Sequence, residues 1–85
     1  MTHVDGNVLA GTLSEIFEQD MTTAAGECAG CGHTAEIAVA LVYLSGAGTV
    51  VRCSTCGDVL FTIVDIDGHP RINLSGVALL RMPLN

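Results

Sequence analysis

The chain has 85 residues and a formal charge of −6, with three Arg and no Lys; its 49 % apolar content comes mainly from Val, Ile, Leu and Ala. Three cations cannot make the basic stripe that nucleic-acid binding needs, and a field of this sign repels phosphate backbones, so the composition argues against a nucleic-acid partner. A chain this short forms one domain over residues 1–85, with a core that is marginal without a staple.

The opening MTHVDGN lacks a cationic segment and a following long apolar run, so no secretory signal is predicted. The longest uncharged apolar run, Ile37 to Leu44, is too short to cross a bilayer. A cytoplasmic protein with no membrane partner is expected. In that reducing compartment Cys-x-x-Cys pairs read as metal ligands or redox dithiols rather than structural disulfides.

The first predicted element is an amphipathic helix over residues 7–21. Val8, Leu9, Leu13, Ile16, Phe17 and Met21 recur at steps that keep them on one side, and Glu15, Glu18 and Asp20 fall on the solvated side. Asp5 or Asn7 can cap its start. The acids near its end oppose the helix dipole. Thr22 to Gly26 reads as a linker into a metal-binding ribbon over residues 26–58.

Within that ribbon Thr34 to Leu44 reads as a strand with both faces apolar, although a helix also fits so short a run. Ser45 to Gly48 is a turn, and Thr49 to Arg52 a short return strand. Both cysteine pairs then lie at one end of this hairpin. A second hairpin is predicted over residues 59–82: Val59 to Ile66 alternates as a strand, and Asp67-Gly68 is a strong turn signal. Gly76 marks a bulge or bend, and Val77 to Met82 continues as a strand.

Cys28 and Cys31 stand in CAGCGH, and Cys53 and Cys56 in CSTCGD, with 21 residues between the pairs. A two-residue gap lets both sulfurs of a pair curl around one ion, and the glycines that follow, Gly32 and Gly57, suit a positive φ. Four thiolates fit a tetrahedral ion, so one Zn²⁺ per chain is predicted on Cys28, Cys31, Cys53 and Cys56. Iron suits four thiolates too. The knuckles resemble those of rubredoxin, but rubredoxins pack aromatic residues around their iron, and this chain has no Trp and one Tyr. Loading the site takes the charge to about −8 by counting ligands.

His33 follows the first pair and reads as a surface residue in a turn, because four cysteines already fill the tetrahedron. His3 and His69 read as solvated, Asp58 and Asp67 as turn residues, and Asp65 as part of a solvent face. Neither a Ser-His-Asp arrangement nor a phosphate-cradling loop is present, and GAG at residues 46–48 is a turn. A four-ligand zinc site has no vacancy for substrate, so a non-enzymatic protein with no small-molecule substrate is expected.

The layout resembles a family of small, uncharacterised actinobacterial proteins classed as a domain of unknown function. The marks are Asp5-Gly6-Asn7, Leu9-Ala10-Gly11, both cysteine pairs and Arg52 before Cys53. The resemblance implies a bacterial zinc-ribbon protein with the four cysteines as ligands, and it carries no activity. More distantly, the pattern is similar to zinc ribbons of the transcription machinery.

The expected fold is a small metal-bound α+β domain, an N-terminal amphipathic helix packed on a zinc ribbon with two antiparallel β-hairpins. The expected role is a structural zinc ribbon serving protein–protein interaction or regulation. One helix covers one sheet face, so a protein partner or a second copy is expected on the other. The alternatives are a thiol-based redox sensor that releases zinc on oxidation and a nucleic-acid-binding ribbon.

Overall fold

A computed structural model of the protein describes residues 4–18, 21–46 and 48–82. Antiparallel pairing organises the chain into two sheets. Strands β1 (Val4–Asp5), β4 (Leu41–Ser45), β5 (Gly48–Arg52), β6 (Val59–Ile66) and β7 (His69–Asn73) form one, in the order β1-β4-β5-β6-β7. Strands β2 (Ala25–Cys28), β3 (Thr34–Glu36) and β8 (Val77–Arg81) form the other, in the order β3-β2-β8.

The helix is shorter than the predicted 7–21. A 3₁₀ turn spans Gly6–Leu9, and the α-helix α1 covers Ala10–Phe17. The Asp5 carboxylate caps the 3₁₀ turn by accepting the Asn7 N–H at 3.0 Å. Glu18 ends α1 in the left-handed region at φ 60°, where the acids at this end offer the helix dipole no support. Gln19 and Asp20 lie outside the described residues. Met21 is fully buried, yet it stands beyond the helix.

Leu9 and Leu13 pack with Met21, Ile37, Val42, Val51, Phe61 and Ile63 in one core against the inner face of the larger sheet. Leu13, Met21, Val42 and Val51 are each fully buried. Removing such side chains from water is worth roughly 1.5–3 kcal/mol apiece.

The predicted strand over residues 34–44 is two strands in different sheets. A 3₁₀ turn at Ile37–Val39 carries the chain from β3 to β4. The Ile37 N–H donates to the Ala24 carbonyl and the Ala38 N–H to Thr22, both at 2.9 Å, so the corner is tied to the segment before β2. Its apolar residues therefore face different ways: Ile37 and Ala40 are buried and Val39 is 52 % exposed. The stretch read as a linker, Thr22 to Gly26, runs into β2, the central strand of the smaller sheet.

The hairpin predicted over residues 59–82 is confined to β6 and β7, joined through Asp67 and Gly68 at φ 52° and 79°. Positive φ at both positions makes the tight turn that Asp-Gly favours. β8 leaves this sheet and pairs with β2. Two hairpins thus understate the pairing, since β2–β3, β4–β5, β5–β6 and β6–β7 are all antiparallel neighbours.

Candidate metal centre

Each cysteine pair marks the passage between two neighbouring antiparallel strands: Cys28 ends β2 and Cys31 follows in the connection to β3, whereas Cys53 and Cys56 both lie in the connection between β5 and β6. The halves therefore come from different sheets, not from one end of a single hairpin. Their backbones repeat one pattern. The Cys28 N–H donates to the His33 carbonyl at 2.9 Å, and the Gly32 N–H donates back to Cys28 at 2.8 Å. The Cys53 N–H donates to the Asp58 carbonyl at 2.8 Å, and the Gly57 N–H donates back to Cys53 at 2.9 Å. Gly32 at φ 77° and Gly57 at φ 81° supply the left-handed residue that closes each turn.

The four Sγ atoms lie within 4.8 Å of one another. Cys28 Sγ is 3.7 Å from Cys56 Sγ, and Cys31 Sγ is 3.7 Å from Cys53 Sγ, so both short separations join one half to the other. With metal–sulfur bonds of about 2.3 Å, a tetrahedron has sulfur–sulfur edges of about 3.8 Å. The cluster fits a four-thiolate ion.

Backbone N–H groups also point at the sulfurs. Thr55 donates to Cys53 Sγ at 3.4 Å and Asp58 to Cys56 Sγ at 3.5 Å. Such contacts spread thiolate charge. Burial opposes ionisation of Cys53, but the N–H groups of Cys56 and Thr55 and the neighbouring thiols outweigh it and lower its pKa to about 7. The Asp58 N–H favours the Cys56 thiolate, yet desolvation and hydrogen bonds with Cys31, Cys28 and Cys53 push that thiol up to about 12. Sulfurs this close do not all ionise unaided; a cation among them removes the conflict.

Cys28 and Cys53 are buried, whereas Cys31 and Cys56 are exposed. Behind the buried pair an apolar cleft of about 30 Å³, lined in part by Phe61, Leu74 and Leu80, has room for little more than a water molecule. His33 is exposed and stands outside the sulfur cluster. His69 is exposed at the start of β7, and His3 lies outside the described residues.

Two residues, Asp58 and Arg52, support the site in ways that the sequence does not reveal. The Asp58 carboxylate lies against Gly30 of the opposite knuckle, where a side chain on Gly30 would collide with it. Arg52 donates from Nη1 to the Gly57 carbonyl at 2.9 Å while its guanidinium lies 5.7 Å from the centre of the Tyr43 ring. The direct adjacency of Arg52 to Cys53 was the only signal for the latter.

Among the described residues no helix is long and apolar enough to cross a membrane. Among the described residues, antiparallel sheets, one short α-helix and four cysteines arranged for metal binding define the class of protein. The chain belongs to a family of unknown function, DUF6510, which matches residues 1–85. No curated protein and no solved structure matches the chain.

Proposed function

We propose that the chain is a non-enzymatic structural zinc ribbon, with one Zn²⁺ on Cys28, Cys31, Cys53 and Cys56, that acts as an interaction or regulatory module in a reducing compartment such as the cytoplasm. The observation that carries this reading is the closed group of four sulfurs with tetrahedral spacing. An ion so bound keeps no coordination position for substrate. It supplies folding energy by joining two sheets that share a small core. Zinc is favoured over iron because the chain has no Trp and one Tyr, too few aromatics for a rubredoxin-like shield. Metal analysis of natively purified protein tests the reading: one zinc per chain and no colour are expected. A red ferric absorption overturns zinc, and an ion-free, well-ordered protein overturns the structural site.

The exposure of Cys31 and Cys56 favours a second reading, a redox sensor. Hydrogen peroxide would accept two electrons from two thiolates and two protons from solvent, leaving a disulfide and two waters, with loss of the ion. Zinc release at low peroxide, reversed by a dithiol reductant, supports that reading; a site that withstands peroxide excludes it.

A further inference from the structure

The larger sheet has an inner face covered by α1 and an outer face that no described element covers. Register defines the outer face. Tyr43 pairs with Val50 and Val50 with Thr62, while Leu41 pairs with Arg52 and Val64 with Arg71. The inner set alternates with these and supplies Val42, Val51, Phe61 and Ile63 to the core. Tyr43, Ser45, Val50 and Arg52 line one shallow outer groove.

The charge on this face differs from that of the chain. It holds Arg52 and Arg71, two of only three cations in a protein of net charge −6. Of the strand residues that register assigns to it, Asp5 alone is acidic, and Asp5 sits on the edge strand with its carboxylate accepting the Asn7 N–H. Val50 and Thr62 lie between the arginines, and beside Arg71 the surface is apolar: its cross-strand partner Val64 is 39 % and Ile66 43 % exposed. Arg52 is held in place by the Gly57 carbonyl and the Tyr43 ring, so its position is set by the second knuckle.

We infer that the outer face formed by Tyr43, Val50, Arg52, Val64, Ile66 and Arg71 docks an extended peptide segment that alternates acidic and apolar residues. Carboxylates match the arginines, and apolar side chains cover Val64 and Ile66. A second copy fits less well, because face-to-face packing brings together two faces whose charged strand residues are mainly arginines. A nucleic acid fits less well, because two arginines release few counterions against the charge of the whole chain. The inference rests on reading the molecule as an interaction module, not on which ion it holds.

The test is titration of the isotope-labelled full chain with a short synthetic peptide alternating glutamate and leucine, its glutamine counterpart, and an oligothymidylate. Metal content is measured on the same sample. Amide shifts at Tyr43, Val50, Thr62, Val64 and Arg71 with the acidic peptide alone are expected, weakened by salt. Arg71→Glu should cost at least about tenfold in affinity, the scale of one charged hydrogen bond. Val64→Glu, on the same exposed face, should reduce binding with no change in metal content. No shift, equal binding of the glutamine peptide, tighter binding of the oligonucleotide, or concentration-dependent dimerisation through this face would each overturn the inference. Peptide binding by protein without zinc sustains it while removing the zinc reading, and zinc without peptide binding does the reverse.

Discussion

Gly76 donates its N–H to the Leu60 carbonyl at 3.0 Å and accepts the Ala29 N–H on its own carbonyl at 2.9 Å. One peptide segment thus ties the first cysteine knuckle to the strand that leaves the second. A side chain here would overlap the Val59 and Leu60 backbone, so the close approach requires glycine.

Gly76→Ala should therefore lower stability by about 1–3 kcal/mol, the usual range for overpacking, and weaken metal binding with it. Urea melts read against chelator competition check both effects. An unchanged melting midpoint would show that the strands can separate to admit a methyl group.

Cys53→Ser should abolish stoichiometric metal binding and the cooperative thermal transition together. A structural zinc contributes roughly 10–16 kcal/mol of apparent binding energy, which rivals the roughly 5–15 kcal/mol net stability of a whole domain. Circular dichroism melts with metal analysis measure this. A cooperative melt in the metal-free variant would contradict it.

Acid should strip the metal. Ligand thiolates exclude protons, whereas free thiols titrate near about 8.5. The unfolded chain therefore binds more protons below that pH, and the metal-linked stability present above it is lost as pH falls. Cys53 at about 7 and Cys56 at about 12 further require that metal entry at neutral pH displace protons. Proton release in weak buffer, and a chelator midpoint that falls between about pH 8 and about pH 6, are the expected readings.

Leu13→Ala tests the core independently of the metal. Leu13 is fully buried on α1 against the larger sheet, so truncation should cost about 2–5 kcal/mol. Metal stoichiometry should hold at temperatures where the variant is folded, which separates packing from ligation.

Local signals were legible in the sequence. The cysteine spacing gave four sulfurs that do converge, Val59–Ile66 is one strand as its alternation implies, and Asp67-Gly68 turns. Signals that depend on tertiary partners were not. Ala25–Cys28 has almost no apolar alternation and is a strand because β3 and β8 flank it. Ile37–Val39 looks continuous with its neighbours, but hydrogen bonds to Thr22 and Ala24 bend it into a corner. Gly76 marks a bend in the sequence, but its close approach to Val59 and Leu60 and the pairing of β8 with β2 are set by partners distant in the chain. Asp58 reads as a turn residue because its contact with Gly30 crosses between knuckles.

The two-hairpin origin of the sulfur cluster has a kinetic consequence. Within each knuckle the sulfurs are joined by a few residues of chain, but Cys28 and Cys56 are 28 positions apart. Short loops close within tens of nanoseconds, and longer-range contacts wait on a larger entropic search. Metal uptake by the unfolded chain should thus proceed in two stages, rapid capture by one pair followed by slower recruitment of the other.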